Sequence, residues 1–365
     1  MANMFDYLQW RGDILFSQLP VNHVDMLIFS ALSYIRFEGI VPEATDNAIT
    51  LQAAAQAIEL LDEKSRKERC RVQNDIDLLA AAAQTERFKN IKICAYRSIF
   101  IPEEDTQFSA VTFIPNSGII CPVFRGTDNT LVGWKEDFNM TFQDSVPAQR
   151  LATEYVKETA EKLNGSLIIG GHSKGGNLAV YAASKCGYYI QQRITKVFNF
   201  DGPGFTEFLL TDSGYKSIIP KIHTFVPQSS VFGMLLQREE GHTIIKSNNI
   251  SLFQHDPYSW EILGADFIAE SELTSDAQLF DRVFHNWITG MTIDERNEFF
   301  DSLFELLMTE NAFRPIDILK PQNLMTYFKN LKADENKRRI ITSEFVNLAQ
   351  MARNIQKTTE EAEQS

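Results

Sequence analysis

The chain is poor in cysteine. Its four, Cys70, Cys94, Cys121 and Cys186, form neither a CxxC pair nor a Cys/His cluster at ligand spacing. That excludes a zinc module and a small disulfide framework, and it fits a reducing compartment. No apolar run approaches the ~18 residues of a membrane span. The opening MANMFDYLQWRGD lacks the basic stretch and apolar segment of a secretory signal, so a cytoplasmic location is expected. Basic charge is also short: 35 Lys and Arg face 48 Asp and Glu, and the net charge of −13 argues against a nucleic-acid partner. Glycine patterns that cradle phosphate or dinucleotide are missing, since Gly202-Pro203-Gly204 lacks the third glycine and the preceding context for dinucleotide binding. No metal or cofactor is expected, and no repeat or Pro/Gly/Ser-rich linker marks a firm boundary.

What is present is a globular composition, 44% hydrophobic over 365 residues, enough for one large core with appendages. Apolar positions at helical spacing run through Val24–Ile35 and again from about Thr50 to Ala83. Between Phe88 and Arg125 the pattern changes to short β-rich runs at Ile91–Ile101, Phe108–Ile114 and Gly118–Phe124, a β-meander. A helix near Pro147–Leu163, a strand at Ser166–Gly170, a helix at Gly175–Lys185 and a strand at Lys196–Phe200 then alternate, with further strands at Lys221–Val226 and His242–Ser247. Such alternation predicts right-handed crossovers and a mostly parallel sheet flanked by helices, the α/β class. Helical patterns return at Asp276–Ile288, Ile293–Thr309 and Asp334–Ile355. The organisation expected is an N-terminal helical segment at 1–87, an α/β core at 88–273, a C-terminal helical region at 274–356 and a disordered tail at 357–365, where no apolar face remains.

The chemistry is concentrated in Gly171-His172-Ser173-Lys174-Gly175, a GxSxG pentapeptide. The buried-strand pattern Leu167-Ile168-Ile169 precedes it and a small-residue helix, Gly176-Asn177-Leu178-Ala179, follows. A strand-to-helix turn of this kind holds serine in a strained conformation with its hydroxyl exposed, and the flanking glycines remove side chains that would collide there. It also places the N–H of Lys174 at a helix N-terminus, where it can meet a developing oxyanion. The plainer alternative is a Gly-rich turn in which Ser173 caps the helix.

A base must follow the nucleophile in this fold. His223 reads as strand interior, His285 as one side of an amphipathic helix, and His242 as a turn residue. His255, in Phe253-Gln254-His255-Asp256-Pro257, follows a strand and an irregular segment where a triad loop belongs. The acid is less determined. Asp201, after the strand Val197–Phe200, sits where an acid can orient an imidazole, but it is equally a turn-former for Gly202-Pro203-Gly204. Asp256 adjoins His255 and its side chain should diverge. A hydroxyl or carbonyl from Ser229 or Ser230 is another option.

Val123-Phe124-Arg125-Gly126-Thr127-Asp128, followed by Trp134 and Asp137, resembles the FRGT signature that precedes the elbow in class 3 lipases, a likeness running from about Phe88 to Trp260. With Tyr7–Asp13 and Gln254–Trp260 included, nearly the whole chain resembles the Mbeg-like branch of the α/β-hydrolases. The resemblance implies an α/β-hydrolase fold, Thr127 as second oxyanion donor beside Lys174, and His255 as the family's histidine. It also implies an Asp after the next-to-last core strand, but Val226–Gly233 holds no carboxylate. The expectation is a serine hydrolase acting on a lipid or small-molecule ester. The alternative is a non-catalytic relative that binds a lipid or a protein partner.

Overall fold

The computed structural model describes residues 2–128, 130–308 and 320–363, with backbone alone at 321, 322 and 357–363. Five helices open the chain: α1 (Met4–Arg11), α2 (His23–Leu32), α3 (Leu51–Glu59), α4 (Glu63–Glu68) and α5 (Gln73–Ala82). The expected single stretch from Thr50 to Ala83 is thus broken. Asp62 accepts from the N–H of Ser65 and Asp75 accepts from that of Val72, and each carboxylate starts a new helix.

The core sheet comprises β1 (Ile49–Thr50), β2 (Lys92–Ile101), β3 (Thr106–Asn116), β4 (Ile119–Phe124), β5 (Ser166–His172), β6 (Ile194–Phe200), β7 (Ile222–Pro227) and β8 (His242–Ile245), ordered as numbered. The first four strands pair antiparallel and β4 to β8 pair parallel. With helices on both faces, this is an α/β-hydrolase fold. The segment before Phe88 contributes an edge strand, because Ile49 pairs with Ile93.

Alternation along the strands sends side chains to two cores. Ile168 joins a cluster with Met26, Ile28, Phe29 and Phe113, so the N-terminal helices cover that face. Leu167 and Ile169 join Ala152, Val156, Leu178 and Ala182 on the other face, under α7 (Pro147–Lys162) and α8 (Lys174–Lys185). Helix α2 is buried from Val24 to Leu32. It seats directly on β5 because Gly170 has no side chain; an added carbon there would lie 2.8 Å from Met26 Cε.

A third apolar cluster ties the C-terminal helices to α6 (Leu131–Asn139). Phe138 stacks on Phe300 at 4.7 Å, and Trp287, Phe299 and Phe304 pack around them. These helices span Ser275–Gly290, Ile293–Leu307, Pro321–Ala333 and Glu335–Glu363. Pro321 opens a helix the sequence pattern had not marked, in the first-turn position where its missing N–H is harmless. The last helix continues to Glu363, across most of the stretch expected to be disordered; extending an existing helix through Glu and Ala is far easier than nucleating one. Thr309, the expected end of an earlier helix, lies outside the described residues. Among the described residues no helix is long and apolar enough to cross a membrane.

The N-terminal layer is pinned by one buried ion pair. Arg87 Nε and Nη2 donate to the two oxygens of Asp25 at 2.9 and 2.6 Å, and Tyr7 donates to Asp25 at 2.8 Å. Arg87→Met leaves Asp25 charged and without its main partner in a dry site, so urea unfolding should show a loss of about 3–5 kcal/mol. A loss below about 1 kcal/mol would mean that the pair is structurally dispensable.

Candidate active site

Strand β5 ends at His172 and α8 begins at Lys174, leaving Ser173 alone in the turn with φ 60° and ψ −134°. Its N–H donates to Phe200 O at 2.8 Å, which fastens the turn to β6. The hydroxyl makes no capping bond to α8, so the structure does not support the helix-cap reading. Space dictates the glycines. A side chain at Gly175 would put its first carbon 2.1 Å from Phe124 O, and one at Gly171 would lie 2.3 Å from Gly175. At Gly176 the same carbon would meet Asn199 Oδ1 at 2.1 Å.

Asp201 follows β6, fully buried, with a positive φ of 53°. Its N–H donates to Phe225 O at 2.8 Å. Asp201 Oδ2 lies 2.6 Å from His255 Nδ1, and Ser230 Oγ donates to Oδ1. A carboxylate accepts, so His255 carries its proton on Nδ1 and leaves Nε2 as a bare acceptor. The ring is held between Phe232, at 4.4 Å, and His172, at 4.6 Å. The other candidates for orienting it are occupied elsewhere: Ser230 serves Asp201, Ser229 bonds Thr274, and Asp256 caps the next turn and faces Arg71. Among the described residues, Ser173 Oγ and His255 Nε2 make no hydrogen bond, to each other or elsewhere. His223 stacks on Phe198, away from this edge, and His242 and His285 are exposed.

Thr127 lies in the loop between β4 and α6, and its hydroxyl donates to Asp137. No described residue accepts from the backbone N–H of Thr127 or Lys174. The Lys174 side chain turns inward instead. Fully buried, it ion-pairs with Glu136 and donates to Gln107 O at 2.8 Å, while Glu136 accepts from the N–H groups of Gln107 and Ala148. The elbow and the Thr127 loop are thereby tied to the same buried charges. Desolvation pushes the Asp137 carboxyl up to about 6, against the pull of Lys174. Among the described residues no group of three or more His, Cys, Asp or Glu is arranged to hold a metal ion.

One contact had only a faint sequence signal, a histidine beside the nucleophile. His172, fully buried, has Nε2 2.8 Å from His255 O and Nδ1 2.9 Å from Tyr34 Oη. Burial foremost holds its pKa well below the ordinary histidine range.

Two outcomes follow. Ser173→Gly, which accepts φ 60° without strain, should raise stability by about 1 kcal/mol or more; a melting temperature equal to that of Ser173→Ala would contradict a strained elbow. His172 is neutral when folded and protonates near pH 6.5 when unfolded, so stability falls as pH drops below about 6.5, by up to about 1.4 kcal/mol per pH unit. His172→Gln should flatten that part of the stability–pH curve, and an unchanged slope would assign the loss to other groups.

No curated protein matches the sequence. Among solved structures, the chain is similar to a crystal structure of M37 lipase at 15% identity, over 58% of this chain and 68% of that one, with a TM-score of 0.36. The model of one family, Mbeg1-like, matches residues 82–305, which hold the elbow, Asp201, His255 and the Thr127 loop. The chain belongs to the Mbeg1-like family.

Proposed function

We propose that the protein is a serine hydrolase that cleaves a carboxylic ester through an acyl-enzyme on Ser173. The observation that carries this reading is the pairing of a positive-φ serine between β5 and α8 with a buried Asp201–His255 hydrogen bond at the same sheet edge. With Nδ1 protonated and facing Asp201, His255 Nε2 takes the Ser173 proton as the hydroxyl attacks the ester carbonyl. The free N–H groups of Lys174 and Thr127 bind the tetrahedral oxyanion. His255 then protonates the leaving alkoxide, and water, activated by the same nitrogen, releases the acid. Ser173 and His255 make no hydrogen bond to each other, and catalytic bonds of this kind often tighten when substrate arrives.

Ile250, Leu252 and Phe253 stand 77%, 52% and 72% exposed just before His255, and Phe232 lines the imidazole. An apolar approach of this kind favours a lipid or other acyl ester over a charged substrate. Four free cysteines support a cytoplasmic setting.

A fluorophosphonate probe with intact-mass readout tests the reading. Wild type should gain one adduct. Ser173→Ala and His255→Ala should gain none, and Asp201→Asn should label about 10⁴-fold more slowly. A folded wild type that stays unlabelled would instead favour a non-catalytic protein that binds a lipid or a protein partner.

A further inference from the structure

The His255 side chain has one hydrogen-bonded tether, Asp201 at Nδ1, and its ring packs between Phe232 and His172. Ile250, Leu252 and Phe253 ahead of it are largely exposed, while the buried Gln254 anchors the chain on the β7 side by accepting from the N–H of Ser229. With Nδ1 fixed on Asp201, the direction of Nε2 also depends on where the backbone of His255 is held, and on the side of the N-terminal layer His172 meets its carbonyl at 2.8 Å.

We propose that Tyr34 and His172 are positioning residues that fix this backbone, and that the N-terminal helical layer thereby sets the aim of the base. The inference rests on the serine-hydrolase reading above. His255 O can only accept, so the 2.8 Å contact requires a proton on His172 Nε2. Neutral His172 then has a bare Nδ1, which accepts from Tyr34 Oη at 2.9 Å. The phenol thus selects the tautomer. Without it, His172 is free to move its proton to Nδ1, turning a lone pair toward the carbonyl of His255. Burial raises the Tyr34 pKa and keeps the hydroxyl a donor.

The same layer grips the residues that follow. Arg71 lies 3.6 Å from Asp256, and Tyr258 donates to Asp75 at 2.8 Å. The Arg71 guanidinium also covers the Tyr34 ring at 4.4 Å. Residues 255, 256 and 258 are thus held from Tyr34, Arg71 and Asp75, all in the N-terminal segment. Since His172 immediately precedes Ser173, its side chain links the position of the base directly to that of the nucleophile. A misplacement of about 1 Å in such a pair costs on the order of 100-fold in rate.

The test compares fluorophosphonate inactivation kinetics of wild type, Tyr34→Phe, His172→Ala, His172→Gln and Tyr7→Phe. Tyr7→Phe removes a buried tyrosine hydrogen bond from the same layer without touching the His255 loop, and so controls for lost stability. Tyr34→Phe and His172→Ala should lower the maximal inactivation rate roughly 10- to 100-fold with the probe's half-saturation unchanged. His172→Gln, whose amide can still donate to His255 O, should recover most of the rate, and Tyr7→Phe should match wild type. Long-range proton–nitrogen spectra of wild type should show His172 as the neutral Nε2–H tautomer, a readout independent of activity. A labelled wild type with Tyr34→Phe within twofold of it, an equal loss in Tyr7→Phe, or His172 protonated on Nδ1 overturns the positioning role alone. A wild type that does not label overturns the hydrolase reading on which it rests.

Discussion

The close approach of α8 to the strands beside it is the constraint from which the site follows. Phe124 O, Gly171 O and Asn199 Oδ1 crowd the start of α8 so tightly that no side chain fits at Gly171, Gly175 or Gly176. The chain enters the helix through a residue at φ 60°, a conformation that costs of order 1–3 kcal/mol and persists only because both flanks are over-determined. Ser173 stands half-buried at the carboxyl edge, between the loops that follow β4 and β6.

Buried charges on two sides hold that edge in place. Lys174 runs inward from the elbow to Glu136 on α6, so the turn with Ser173 and the loop with Thr127 cannot move apart without exposing an unpaired charge in the interior. Across the sheet, Asp25 and Arg87 fasten α2 to the end of the N-terminal segment, and α2 is the helix that rests on Gly170. Hydrophobic packing alone would favour the same layers with less definite register. The ion pairs and their hydrogen bonds favour one arrangement, because every alternative leaves a charge without a partner.

Local signals made the elbow readable in the sequence: a β-rich run, a glycine-flanked serine and a small-residue helix lie within twenty consecutive positions. The strand–helix alternation and the parallel sheet were readable for the same reason. Asp201 was undecided because its role depends on which strands are neighbours and how far apart their ends lie, and both turn-former and acid suit an Asp before Gly-Pro-Gly. Tyr34 and His172 are 138 positions apart, and no pattern in either neighbourhood announces their contact. The breaks between α3, α4 and α5 were obscured because the Glu, Lys and Arg of α4 are good helix formers although that stretch has no apolar face, while the capping carboxylates Asp62 and Asp75 resemble ordinary surface residues until their partners are known.

The position of the acid shows how such an edge tolerates change. The class 3 pattern expects a carboxylate after the next-to-last core strand, and the loop after β7 here carries Ser230 in place of an acid. Its hydroxyl donates to Asp201, at the end of the neighbouring strand β6. Adjacent parallel strands end about 5 Å apart, so a carboxylate on either can reach the same imidazole if its own second oxygen is satisfied. Ser230 satisfies it, and Gly233 in turn donates to Ser230 Oγ at 3.0 Å. The β7 loop therefore takes part in orienting His255 through the carboxylate at the end of β6. What the arrangement requires is a buried acceptor at Nδ1 of His255, and the strand that supplies it is secondary.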